Sequence, residues 1–156
     1  MKTRPIILVL MVLLTSFAFT AVVSAQVSAN YQGLRAELQE STKLNELLVE
    51  LTQVKLNKAV PVLQTLEELA GEDLLPLFQT MLKGDLYYVK ANRFLVAKDD
   101  GAYKGVFSGK TIEGLSRSST KKVKVNNKLR RILRESISRI QLNSPKAGVR
   151  EQAIIS

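Results

Sequence analysis

Apolar residues recur at helical spacing along the chain after residue 40. The first stripe consists of Leu44, Leu47, Leu48, Leu51 and Val54. Gaps of three and four residues place such side chains on one face of an α-helix. The pattern therefore predicts a helix that buries this face, and the hydroxyl of Ser41 or Thr42 is suited to cap its first turn.

Two more helices are expected before residue 85, each bounded by proline or glycine. Pro61 suits the first turn of a helix over Val62–Ala70, because proline loses no helical hydrogen bond there, and Gly71 suits its end. A third apolar stripe runs over residues 74–82 and stops at Gly84. These residues form the leucine-rich first half of the predicted domain.

The clearest stripe lies near the C-terminus. It consists of Leu129, Ile132, Leu133, Ile137 and Ile140. Asn126 or Asn127 can cap the start of this helix, while Pro145 and Gly148 indicate that it has ended. Residues 144–156 are then expected to form a frayed polar tail.

The middle of the chain allows two interpretations. Asp85 could cap a helix from Leu86 to Leu95, whereas Asp100-Gly101 is a hairpin-turn signal. Poor alternation favours the helix, and glycines beyond residue 100 disfavour its continuation. The sequence therefore predicts a mainly α fold, a small bundle of four or five helices, with either a short β-hairpin or a glycine-rich loop near residues 94–116.

The N-terminus has the features of an export signal. Lys2 and Arg4 precede an apolar stretch from Ile6 to Val23, and small residues follow up to Ala25. This order predicts a signal peptide over residues 1–25 and a secreted or periplasmic mature protein. The alternative is an uncleaved membrane anchor formed by residues 6–23.

Charge divides the remaining chain into two halves. Residues 26–85 contain nine acidic and five basic side chains, a net charge of −4, whereas residues 86–156 contain five acidic and sixteen basic ones, a net charge of +11. We expect a single domain over residues 26–143, with an acidic half at 26–85 and a basic half at 86–143. An asymmetry of this size indicates an anionic partner.

Composition removes most catalytic chemistry. The chain contains no cysteine, histidine or tryptophan, so thiol nucleophiles, imidazole bases, disulfides and zinc–cysteine sites are excluded. Two short motifs fail on inspection: Gly105–Thr111 lacks the spacing of a phosphate-binding loop, and Ser118–Lys121 lacks the companion motifs of a serine–lysine enzyme. We therefore expect no catalytic residues, no metal, no cofactor and no enzymatic activity.

The strongest functional signal is a basic run ahead of the last helix. Thr120–Val125 has the spacing x-B-B-x-B-x, where B is basic, which resembles the short pattern associated with glycosaminoglycan binding. The predicted anion-binding residues are Lys121, Lys122, Lys124, Lys128, Arg130, Arg131 and Arg134. Clustered cations of this kind bind anionic polymers by displacing counterions.

The sequence thus predicts an exported, non-enzymatic binding protein with a basic C-terminal face. Its partner would be an anionic polysaccharide or an anionic membrane surface. We expect no nucleic-acid partner, because the tyrosines are not interleaved with the basic run and export removes the protein from nucleic acid. The alternatives are a helical carrier of a small apolar ligand and a structural or protein-interaction protein.

Overall fold

The computed structural model describes residues 41–155. The predicted signal peptide, with its alternative as a membrane anchor, and the start of the predicted domain lie outside these residues. Between residues 41 and 155, no helix combines the length and apolarity that a bilayer span requires.

Helices flank a block of strands along the chain. Three α-helices come first: α1 (Thr42–Gln53), α2 (Ala59–Ala70) and α3 (Leu75–Lys83). They are joined by 3₁₀ turns at Leu56–Lys58 and Gly71–Leu74. Four strands follow: β1 (Leu86–Val89), β2 (Leu95–Asp99), β3 (Ala102–Gly105) and β4 (Thr120–Lys122). The last elements are α4 (Asn127–Leu142) and α5 (Ala147–Ile155).

The predicted helices α1 to α4 are present, and side chains cap two of them as expected. The Ser41 hydroxyl accepts a hydrogen bond from the Leu44 N–H at 3.3 Å at the start of α1. The Asn126 side-chain oxygen accepts one from the Leu129 N–H at 2.9 Å at the start of α4. These bonds satisfy amides that have no partner inside the helix, so each fixes where its helix begins.

The predicted mainly α bundle is nevertheless wrong, because the middle of the chain forms a four-stranded antiparallel sheet. The strand order is β3-β2-β1-β4, and with the surrounding helices it makes an α+β fold. Tyr88 lies opposite Leu95 on one side and Lys121 on the other. The expected helix over 86–95 is therefore replaced by β1 and β2, whose pairing with a distant segment outweighs weak local alternation.

Of the two alternatives for residues 94–116, the structure has the hairpin. Asp100 and Gly101 connect β2 to β3 with positive φ angles of 47° and 83°. Two consecutive positive φ angles match the right-handed twist of the paired strands, which explains the Asp-Gly signal at this turn.

One face of the sheet packs on the helices and forms the main core. Leu86, Leu95 and Val123 from the sheet side join Phe78 and the leucines of α1 to α4. Phe78 and Leu133 are completely buried. The helices cover this face, and β3 and β4 are the two edge strands of the sheet.

The opposite face of the sheet carries a smaller buried group. Val96, Tyr103 and Thr120 are almost fully buried there, beneath the 106–119 loop. The Thr120 hydroxyl lies 2.9 Å from the Ser116 carbonyl and 2.7 Å from the Tyr103 hydroxyl. Since a carbonyl only accepts, the Thr120 O–H donates to Ser116 and the Tyr103 O–H donates to Thr120. This relay ties the loop and β4 to the hairpin.

The C-terminal residues include a short helix. Fraying over residues 144–156 stays a prediction, and within this segment α5 occupies Ala147–Ile155. Ser144 is buried and its hydroxyl donates to Glu72 at 2.7 Å, while the Lys146 ammonium pairs with the same carboxylate at 2.9 Å. Ser144 and Glu72 are 72 positions apart in the sequence, so local sequence patterns do not reveal this contact.

Candidate functional site

The predicted basic run forms the edge strand of the sheet. Lys121 and Lys122 belong to β4, and both side chains are exposed. The ladder to β1 continues one residue further, because the Val123 N–H donates to the Leu86 carbonyl at 2.9 Å. The first part of the basic run is therefore paired with the sheet.

Two adjoining grooves run along this edge, with volumes of about 440 Å³ and 410 Å³. They share Leu56, Lys122, Val123 and Lys124. One wall is the segment from Leu51 to Leu56, at the end of α1, and the other is β4 with the residues up to Val125. We call the two grooves together the basic channel.

Cations dominate the lining of the basic channel. They are Lys55, Lys83, Lys121, Lys122, Lys124 and Arg130. Among the described residues that line it, none is acidic. The floor between the cations is apolar and includes Val54, Leu56 and Val123. The channel can thus hold negative charge at its rim and apolar groups on its floor.

Two of these cations converge over Gly84, which ends α3. A Cβ built on this glycine would lie 3.7 Å from an Arg130 guanidinium nitrogen and 3.8 Å from the Lys122 ammonium. Gly84 has a φ of 86°, a left-handed conformation that suits glycine at a helix end. Its missing side chain leaves the two cations facing one small space.

Arg130 is held in place by the backbone of α3. Its other guanidinium nitrogen donates to the Leu82 carbonyl at 2.7 Å. That carbonyl belongs to the last turn of α3, where acceptors lack helical partners, so the bond also stabilises the helix end. The guanidinium is thereby oriented before any ligand arrives.

Further positive charge lies close to Lys122, at the edge of the channel. The Lys98 and Lys122 ammonium groups each lie 5.8 Å from the centre of the Tyr87 ring. Asp99 is already ion-paired to Lys104, whose hydrogen bond chiefly holds the pKa of that carboxyl below its ordinary value. The first turn of α4 contains no acidic residue, although acids are favoured at helix N-termini. A bound anion would be attracted by the Lys98 and Lys122 ammonium groups and by the N-terminus of α4.

The structure separates the seven predicted residues into two sets. The channel is lined by Lys121, Lys122, Lys124 and Arg130. The other three, Lys128, Arg131 and Arg134, lie on the exposed surface of α4 and do not line either groove. Arg131 is 3.8 Å from Glu135 one turn away; both side chains are well exposed, so this pair is weak.

Sequence reasoning missed Lys55 and Lys83. Both belong to the half with a net charge of −4, and averaging the charge over that half hid them. The position of Lys83, directly before a glycine that ends a helix, is a local signal that it lies close to the following chain reversal. The approach of the two halves at β4 was not predictable without the sheet.

A third groove, of about 690 Å³, lies between α2 and α4 and has a different character. The Arg139 guanidinium donates to both Glu67 carboxylate oxygens, at 2.7 Å and 3.0 Å. This hydrogen bond holds the pKa of Glu67 below its ordinary value, against the opposing effect of burial, and raises the pKa of Arg139. The Arg139–Glu67 ion pair therefore links α4 to α2. Because charges of both signs line this groove, it does not form a site of one charge.

The two motifs rejected as catalytic adopt other structures. Gly105–Thr111 folds into a tight turn in which the Gly105 N–H donates to the Lys110 carbonyl at 2.9 Å, and β4 rather than a helix follows it. Ser116–Ser119 is a turn whose hydroxyls bond to one another. The Lys90 ammonium donates to the Ser118 carbonyl at 2.6 Å at this second turn.

No group of three or more acidic residues between positions 41 and 155 is arranged to hold a metal ion. Comparison with models of protein families, with curated proteins and with solved structures finds no match to this chain. The basic channel is therefore the feature on which a functional interpretation rests.

Proposed function

We propose that the protein is an exported, non-enzymatic binding protein that engages an anionic polymer or surface through the basic channel and the adjoining face of α4. The observation that carries this proposal is the lining of the channel, where six cations from four separate parts of the chain meet without an acid among the described lining residues. Burying or crowding like charges costs free energy, so a fold that gathers them is best explained by an anion that relieves the cost.

The geometry supports recognition of repeated anionic groups. Arg130 offers a planar guanidinium held by Leu82, whereas Lys122 offers a compact ammonium beside it. A sulfate, phosphate or carboxylate placed over Gly84 could contact both groups. Lys128, Arg131 and Arg134 on α4 then extend the positive field beyond the channel, as a polymer with many charges requires.

A sulfated polysaccharide and an anionic membrane share this chemistry, and binding experiments distinguish them. We expect the protein to be retained on immobilised heparin and to elute at a salt concentration that falls when channel cations are removed. In a second arm, vesicles containing phosphatidylglycerol are compared with purely zwitterionic vesicles by cosedimentation. Binding to heparin without cosedimentation indicates a polysaccharide, and the reverse indicates a membrane surface.

Matched variants separate a built site from net charge. One variant replaces Lys121, Lys122 and Lys124 by glutamine, and the control replaces the exposed residues Lys43, Lys58 and Arg117, which lie outside the channel lining. Both lose three positive charges. The proposal requires the channel variant to elute from heparin, or to leave anionic vesicles, at clearly lower salt than the control. Equal behaviour of the two variants, or no binding by the wild type, would overturn it.

A further inference from the structure

The outer edge of β4 has backbone groups that pair with no described strand. In an antiparallel ladder, alternate residues direct their backbone N–H and C=O groups towards the neighbouring strand. The bonds from Lys90 N–H to the Ser119 carbonyl and from Val123 N–H to the Leu86 carbonyl fix this register. Thr120 and Lys122 therefore direct their backbone groups away from β1, and no described strand pairs with that edge.

The basic channel runs along this edge rather than across one face of the sheet. Its lining includes four consecutive residues, Lys121 to Lys124. Successive side chains of a strand point to opposite faces, so a groove that touches all four must follow the strand edge. The opposite wall, from Leu51 to Leu56, then leaves a space beside the unpaired backbone groups.

The charge and apolarity of the channel define what fits there. An added strand would place every second side chain towards the apolar floor and the alternate side chains beside Lys122 on the outer face. Its outer side chains would meet the cations at the rim, because the described lining residues include no acid. An extended segment with alternating acidic and apolar residues satisfies both requirements.

Edge lysines also discourage pairing between copies of a protein, and that role would account for Lys122 alone. It does not account for Lys55, Lys83 and Arg130, which belong to other elements and face the same channel. The same lysines make a second copy of this chain a poor occupant, because two β4 edges would bring like charges opposite each other.

We propose that β4 accepts an acidic extended peptide of a partner protein as a fifth, antiparallel strand seated in the basic channel. Antiparallel addition continues the pattern of the sheet, in which every pair is antiparallel. This inference rests on the channel being the binding site of the proposed function and names a peptide ligand for it. Backbone hydrogen bonds give affinity, and the alternating side chains give specificity.

N-methylated peptides test the backbone pairing without changing charge. The probe is a fluorescein-labelled, N-acetylated octapeptide of alternating glutamate and valine, measured by fluorescence anisotropy with the wild-type protein. Two further peptides carry N-methyl groups on all glutamates or on all valines. In antiparallel addition the residue opposite Lys122 directs its N–H towards β4, so methylation of the glutamates should weaken binding by about tenfold or more, and methylation of the valines by much less.

Single substitutions in the protein test the same site independently of the peptide chemistry. Lys122→Gln should weaken binding of the unmethylated peptide by several-fold, whereas Lys43→Gln, an equal change in charge on exposed α1 outside the channel lining, should leave it nearly unchanged. Loss confined to the glutamate-methylated peptide supports strand addition, and loss confined to the valine-methylated peptide contradicts the proposed pairing with Lys122. Equal binding of all three peptides, equal loss on both methylations, or a concentration-dependent dimer that excludes the peptide would overturn the inference.

The heparin arm keeps the two proposals distinguishable. Retention on heparin with no peptide binding rejects strand addition while leaving anion binding intact. If the wild type binds neither heparin nor the peptide, the channel is rejected as a functional site.

Discussion

Replacing Lys122 by glutamine should leave the stability of the free protein nearly unchanged and still weaken anion binding. The Lys122 ammonium and the Arg130 guanidinium both lie within 4 Å of one point above Gly84. The two cations are therefore no more than about 7.5 Å apart, a distance at which like charges repel each other by about 0.6 kcal/mol in water. The substitution removes this repulsion.

The same substitution also removes a favourable contact. The Lys122 ammonium lies 5.8 Å from the centre of the Tyr87 ring, and a cation–π contact at an exposed site contributes about 0.5 kcal/mol. The two effects are similar in size and opposite in sign, so the free energy of unfolding should change little. At about 10 mM salt, where screening is weak, the relief of repulsion should prevail and the variant should be slightly more stable.

Binding should respond much more strongly. A hydrogen bond from a charged donor contributes about 1.5 kcal/mol or more, so its loss should lower the affinity for heparin by roughly tenfold. Urea unfolding followed by circular dichroism at low and physiological salt gives the stability, and calorimetric titration with heparin gives the affinity. Lys43→Gln serves as the charge-matched control, because this exposed residue of α1 lies outside the channel lining. A variant destabilised by more than about 1 kcal/mol with unchanged heparin affinity would show that Lys122 is a structural residue and refute this reasoning.

Three further predictions concern the framework that holds the channel. Glu67→Gln should lower the free energy of unfolding by about 0.5–1 kcal/mol at neutral pH. Because Arg139 lowers the pKa of Glu67, this stabilisation is present above the ordinary glutamate pKa and is lost as the pH falls through the lowered pKa. Urea titrations of the two proteins should therefore converge in acid, and a difference that stays constant with pH would contradict the ion pair. Gly101→Ala should cost about 1–2 kcal/mol from backbone strain alone, since the turn has a φ of 83° and open space around it, and an unchanged melting temperature would contradict the turn geometry. Tyr103→Phe should lower the free energy of unfolding by about 1 kcal/mol, because it removes the donor to the buried Thr120 hydroxyl. Thr120→Val should then be less destabilising in the Tyr103→Phe background than in the wild type. Strictly additive destabilisation in thermal unfolding would argue against the relay.

The helices could be predicted from the sequence because their information is local. The stripe from Leu44 to Val54 and the cap at Asn126 lie within a few residues of the structure they specify. The sheet could not be predicted in this way. Tyr88 pairs with Lys121, a residue 33 positions away, and β4 is too short and too basic to be recognised as a strand on its own. Only the Asp100-Gly101 turn carried a local signal, and that signal was correct.

The candidate site was predictable in part for the same reason. The run Lys121–Lys124 stands out in the sequence, and it does line the channel. Lys55 and Lys83 join it only because the sheet edge packs beside the end of α1 and the end of α3. Conversely, the helical residues Lys128, Arg131 and Arg134 looked equivalent to the channel lysines in sequence but lie outside the channel.

The salt dependence of heparin binding is the sharpest test of anion binding in the basic channel, because its slope counts the cations that a polyanion neutralises. The measurement compares the wild type with the Lys121, Lys122 and Lys124 triple glutamine variant and with the Lys43, Lys58 and Arg117 triple control. Each cation that contacts the polymer contributes about one unit to the slope of log affinity against log salt. The channel variant should lose about three units of slope and the control less than about one. Equal slopes for the two triple variants would show that the polymer does not bind in the channel.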